Sequence, residues 1–247
     1  MKRLHFLSKA ALLAGAFALA GCGGIIPTGK APSVGPASTA SASASGSRAP
    51  LPPISRVAST PRQISTRAGD MSCIAELNAA GARFDPLPDT YAAPGCNKLG
   101  TVQLSALAGD DGSFGISNVG PLKCSTANTF SAWVRFGVDR AARQILGSPL
   151  RRVETMGSYA CRNVAGTQRR SAHARAEAVD VSAFVLEDGR RIVLETDWNG
   201  GTAAEREFLR VVHKSACKRF GTVLGPDYNA AHKDHFHLEG IGATFCR

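Results

Sequence analysis

Two short segments concentrate the side chains able to do chemistry. Five of the six histidines lie between residues 173 and 237. The first segment is Ser171-Ala172-His173-Ala174-Arg175-Ala176-Glu177-Ala178-Val179-Asp180, and the second is His232-Lys233-Asp234-His235-Phe236-His237-Leu238-Glu239. Zn2+ prefers neutral imidazole and carboxylate oxygen, and a hydrolytic site keeps three protein ligands with one position open to solvent. One His and one Asp from the first segment with one His from the second would make that set. The metal would bring the pKa of water near 7 and so supply a nucleophile at neutral pH.

Spacing sets a geometric condition. His235 and His237 are two residues apart and share a face if they lie on a strand. His173 and Asp180 are seven apart, so one straight strand would point them to opposite faces. If both bind one ion, the chain must bend between them, and the small residues of Ala174–Ala178 permit that.

The first segment resembles the SxHxxGxAxD motif of the zinc peptidases related to lysostaphin and the D-Ala-D-Ala metallopeptidases. The second is similar to their DxxH or HxH motif. The stretch from about residue 70 to 247 resembles the bacterial extensin-like C-terminal domain family. Gly157-Ser158-Tyr159-Ala160-Cys161-Arg162-Asn163, the His173/Asp180 segment and Asp188-Gly189-Arg190 carry that likeness. So does the run Gly221-Thr222-Val223-Leu224-Gly225-Pro226-Asp227-Tyr228-Asn229 leading into Asp234-His235-Phe236-His237. The resemblance implies zinc on His173, Asp180 and His237. It implies a proton carrier at Asp234, from the DxxH pattern, or at His235, from the HxH pattern. Ser171 matches the motif serine, which binds substrate or supports the His173 loop. Arg162 is placed to bind a substrate carboxylate. Ala176 stands where the peptidase motif has glycine.

Outside those roles the expectations are plainer. His213 falls in a helix and reads as structural. His232 is expected outside the ligand set or exposed, Tyr228 and Asn229 along a cleft, and Trp133 and Trp198 in the core.

The elements that must hold these residues are short. Cys73–Leu77 reads as a helix. Thr126–Leu146 has helical spacing, with Phe130, Trp133, Val134, Val138, Ala141 and Ile145 apolar and a stop at Gly147. Arg151–Tyr159 reads as a strand. Ala178–Leu186 and Arg190–Glu195 flank Glu187-Asp188-Gly189, a hairpin signal. Thr202-Ala203-Ala204-Glu205 is a capping box opening a helix to about Arg219, with Phe208, Val211, Val212 and Ser215 along one side. Thr222–Leu224 and His235–Leu238 are short strands. This predicts an α+β domain over 70–247: a small, mostly antiparallel sheet with packed helices and a zinc-peptidase-like core.

The N-terminus reads differently. Residues 1–21 have a basic start, an apolar run at Ala10–Ala20 and the ending Leu19-Ala20-Gly21-Cys22, which resembles a bacterial lipobox. The expectation is a signal peptide, with lipid on Cys22 as the membrane anchor. Gly23 after the cysteine favours the outer membrane over the inner. Residues 22–69 are rich in Ala, Ser, Pro and Gly and read as a flexible tether with a reach of roughly 35–40 Å. Removing Cys22 from the seven cysteines leaves six, an even number suited to three disulfides in an oxidising periplasm, with the pairing open.

Charge narrows the partners. The chain carries a net +10, but residues 71–247 hold 21 basic and 18 acidic residues. That near balance excludes the clustered basic footprint of a nucleic-acid domain. The expected partner is peptidoglycan. The expected function is hydrolysis of an amide bond in its stem peptides or cross-links by an endopeptidase or carboxypeptidase facing the periplasm. The alternative is a non-catalytic peptidoglycan-binding or scaffolding lipoprotein with a structural metal site, motivated by Ala176.

Overall fold

The computed structural model describes residues 68–240, 242 and 244–247. The expected signal peptide, Cys22 and the expected tether as far as residue 67 lie outside them. Helix α1 (Ala68–Ala79) begins two residues before the expected domain start.

Residues 80–123, for which no elements were expected, fold into strands β1 (Arg83–Pro86), β2 (Thr90–Ala93), β3 (Cys96–Lys98), β4 (Thr101–Ala108), β5 (Ser113–Ser117) and β6 (Leu122–Lys123). Further along come β7 (Leu150–Gly157), β8 (Ala178–Leu186), β9 (Arg191–Val193), β10 (Thr222–Leu224), β11 (Phe236–Glu239) and β12 (Phe245–Cys246). Ten of these form one sheet in the order β1-β4-β5-β7-β8-β11-β10-β12, with β6 beside β4 and β9 beside β8. β2 and β3 pair separately. The sheet is mostly antiparallel, with β5–β7 and β10–β12 parallel. It is large, which corrects the expected small sheet. Apart from the eight-residue β4, the missed strands are two to five residues long and broken by turns at glycine, so they carry little periodic signal.

Helices α2 (Cys124–Trp133), α3 (Leu194–Gly200) and α4 (Ala203–Cys217) complete the regular helices among the described residues. The segment expected as one helix over 126–146 is helical throughout, but widens into π turns at Val134–Asp139 and Ala142–Leu146. Gly137 lies within it against Ser215 of α4, where a Cβ would collide with the serine side chain. The segment ends at Gly147, whose φ of 71° is the left-handed stop the sequence predicts.

The α4 capping box forms in both directions: Glu205 N–H donates to Thr202 Oγ1 at 3.3 Å, and Thr202 N–H donates to Glu205 Oε2 at 2.7 Å. The buried stripe is Phe208, Leu209, Val212 and Ala216. Val211, expected inside, is 40% exposed. The strand expected over 190–195 stops at Val193, where Asp197 Oδ2 accepts the Val193 N–H and the chain turns into α3.

The core lies between these helices and the sheet. Trp133 is fully buried, meets Phe130, Phe184 and Phe220 at centroid distances of 5.9–6.2 Å, and donates its indole N–H to Val212 O. Each large side chain removed from water there contributes about 1.5–3 kcal/mol. Trp198 is 3% exposed, so both tryptophans belong to the interior as expected.

Three disulfides staple the domain: Cys73–Cys124, Cys96–Cys161 and Cys217–Cys246. No helix among the described residues is long and apolar enough to cross a membrane.

Candidate metal centre

The site sits at one end of three neighbouring strands. Asp180 of β8 pairs in register with His237 of β11 on one side and with Gly157 of β7 on the other. Along β8, Val179 and Val181 are buried in the core, while Asp180 alternates to the other face. His173 comes from a 3-10 turn (Ala172–Arg175) packed over this sheet end.

The bend demanded by the seven-residue spacing is present. Ser171 caps the turn, its Oγ accepting the His173 N–H at 3.4 Å. Ala176 closes the turn in the left-handed region, at φ 54°, with its methyl fully buried. That conformation suits glycine and costs an alanine roughly 1–2 kcal/mol. Local ties hold it: Lys123 N–H donates to Ala176 O, Gly240 N–H donates to Glu177 O, and the Glu177 carboxylate takes Lys123 Nζ and Arg175 Nε. The Cys96–Cys161 disulfide braces the strand β3 that packs on the turn.

Three side chains converge there. His237 Nδ1 lies 2.9 Å from Asp180 Oδ1, His173 Nε2 lies 3.2 Å from Asp180 Oδ2, and the two imidazole nitrogens are 3.1 Å apart. One potential ligand atom from each of the three falls within 4.8 Å of the others. His173 is 3% exposed and His237 7%.

Each ring is oriented from behind. His173 Nδ1 donates to Ser158 O at 2.5 Å, and His237 Nε2 donates to Glu239 Oε1 at 3.0 Å. A donor on the outer nitrogen leaves the inner nitrogen as the lone-pair atom of the neutral ring, the arrangement that metal-ligating histidines use. Two lone pairs repel each other across 3.1 Å, so without a cation a proton on His237 Nδ1 relieves them, with Asp180 Oδ1 as its acceptor at 2.9 Å.

The electrostatics agree. Burial disfavours charge on His237, but its hydrogen bonds to Asp180 and Glu239 outweigh that and raise its pKa to about 9. Burial pushes the Asp180 carboxyl up, yet hydrogen bonds from His173 and His237 hold it well below the usual carboxylate range. Two imidazoles and a carboxylate with fixed tautomers are a donor set that fits zinc.

The remaining predicted residues are placed as follows. His235, expected to open the strand, is buried one residue before β11 begins, with Nε2 3.7 Å from Asp180 Oδ1. Asp234 Oδ1 accepts His235 Nδ1–H at 2.8 Å. Asp234 therefore reaches the cluster through His235. Ser171 is buried and spent on capping. Arg162 runs beside the His173 segment, its carbonyl accepting the Ser171 N–H, while its exposed side chain makes no ion pair among the described residues. His213 packs between Trp198 and Phe236, a structural place. Sequence reading gave no role to Ser158 or Glu239. Glu239 was within reach of parity, being two residues past His237 and so on the same face of its strand.

Residues 71–247 match the family described as extensin-like protein C-terminus, and the chain belongs to that family. No curated protein and no solved structure matches the chain.

Proposed function

We propose that this chain is a cell-envelope zinc metallopeptidase that hydrolyses an amide bond in peptidoglycan stem peptides or their cross-links. The observation that carries this reading is the convergence of His173, Asp180 and His237, with both imidazoles turned inward by acceptors behind them. The likeness of Ser171–Asp180 and Asp234–His237 to the motifs of lysostaphin-related and D-Ala-D-Ala zinc peptidases supports it. Ala176 adopts the left-handed bend that glycine favours, so the departure from that motif leaves the loop's path intact.

His173 Nε2, His237 Nδ1 and an Asp180 oxygen would hold the ion. Zinc, when bound, supplies Lewis-acid activation of water and of the scissile carbonyl. His235 takes the proton of the attacking water on Nε2 and returns it to the departing amine. Asp234 fixes that tautomer by accepting Nδ1–H. Arg162 offers a planar guanidinium to a substrate carboxylate. Lipid on Cys22 and the tether place the domain at the wall, facing the periplasm, an oxidising compartment that suits three disulfides.

Digestion of purified cross-linked murein tests the reading. New muropeptides should appear with zinc-loaded protein and fail to appear with a chelator. An unchanged muropeptide profile with stoichiometric zinc bound would sink it.

A further inference from the structure

Asn229 precedes a short 3-10 turn, Ala230–His232, and its Oδ1 accepts the Ala231 N–H at 3.0 Å. A backbone N–H can only donate, so it fixes which end of the amide faces the turn. The same Oδ1 lies 2.7 Å from His232 Nδ1. An oxygen that can only accept requires a donor there, so His232 Nδ1 carries the proton. An imidazole is mostly uncharged at neutral pH, which leaves Nε2 with its lone pair. Among the described residues that nitrogen has no hydrogen-bond partner.

The ring lies beside the site. Its centroid is 5.2 Å from that of His235 and 5.8 Å from that of His237, and Tyr228 backs it at 5.4 Å. The loop beneath is anchored at both ends. Asp227 accepts Trp198 Nε1–H at 2.8 Å and pairs with Arg210 at 2.7 Å, and Lys233 pairs with Glu195 at 2.9 Å. None of the roles assigned above uses His232.

We infer that His232 is a substrate-contacting residue whose Nε2 accepts an N–H of the peptide lying across the His173–Asp180–His237 cluster, and that Asn229 is the positioning residue that selects its tautomer. The identity of the peptide rests on the peptidase reading; the tautomer and the placement of the ring do not. An acceptor at this place selects a backbone that keeps its N–H, because an N-alkylated amide would leave Nε2 unpaired.

Long-range 1H–15N correlation spectra of the histidine rings in the full chain test both halves. His232 should show a protonated Nδ1 and a bare Nε2. Asn229→Ala should populate the other tautomer, while Asn229→Asp, which keeps the acceptor, should restore the first. Adding a cross-linked muropeptide dimer should move the His232 Nε2 resonance. His232→Ala should raise KM by about three- to tenfold, with zinc content unchanged. A protonated Nε2 in the wild type overturns the inference, and so does an Nε2 resonance unmoved by the dimer, with or without cleavage. A shift without cleavage leaves the contact standing and removes the peptidase reading alone.

Discussion

Glu239 lies two residues beyond His237 on β11, and its Oε1 takes the outer ring N–H at 3.0 Å. This bond decides which nitrogen of His237 faces Asp180. Removing it frees the ring to rotate and to exchange tautomers. Glu239→Ala should therefore weaken zinc binding by about 10–100-fold, while Glu239→Gln, which keeps an oxygen acceptor, should lose less. Competition against a chromogenic chelator measures both.

Protonation of His237 sets a pH dependence of metal binding. The ion needs the neutral imidazole, and the metal-free ring titrates at about 9, so binding near neutral pH expels one proton. Affinity should climb about tenfold per pH unit towards pH 9 and level off above it. Titration calorimetry in buffers of different ionisation enthalpy would report the proton released. A flat affinity between pH 6.5 and 9 would contradict the assignment.

The metal-free fold should show the matching stability profile. The His237 pKa is raised on folding, so its contribution is complete below about pH 6.5, the ordinary value, and is lost as pH rises through about 9. Asp180 is shifted down, so its contribution is present above the ordinary carboxylate value and disappears in acid. Thermal unfolding of chelator-treated protein should give a Tm that falls from pH 7 to pH 9.5.

The Cys96–Cys161 disulfide closes a separation of 65 residues and braces the His173 turn. Cys161→Ser should cost about 4 kcal/mol of stability by the loop-closure argument. Zinc affinity should fall with it, because the turn that carries His173 loses its support. Denaturant melts and zinc titration of the same sample separate the two effects.

Ala176 makes a local test of the bend. A β-branched side chain in the left-handed region is strongly disfavoured, and here it would also have to fit a fully buried position. Ala176→Val should lower stability by about 2 kcal/mol or more and impair zinc binding. Ala176→Gly should stay within about 1 kcal/mol of the parent and keep the metal site, since relief of strain offsets the freer unfolded chain.

Much of this was readable from the residues in order. The α4 capping box, the Glu187-Asp188-Gly189 hairpin, the stop at Gly147 and the six-cysteine count rest on local chemistry, which acts over a few residues whatever lies around it. So did the requirement for a bend between His173 and Asp180, since strand parity is a local rule. The six strands between residues 80 and 123 were not legible: all but β4 are two to five residues long, and such strands gain their stability from partners elsewhere in the chain. Nor was the disulfide pairing, which depends on which thiols the fold brings together.

The sequence alone determined which residues were available for the site and the local conformation that some of them must take. Only the tertiary structure decided that β8 and β11 align in the register that sets Asp180 against His237. It alone set the Ser158 carbonyl and the Glu239 carboxylate behind the two imidazoles. The physical reason is one of range. Propensity and parity are settled among neighbours, whereas the direction a ring nitrogen faces is set by an acceptor that packing delivers from another strand.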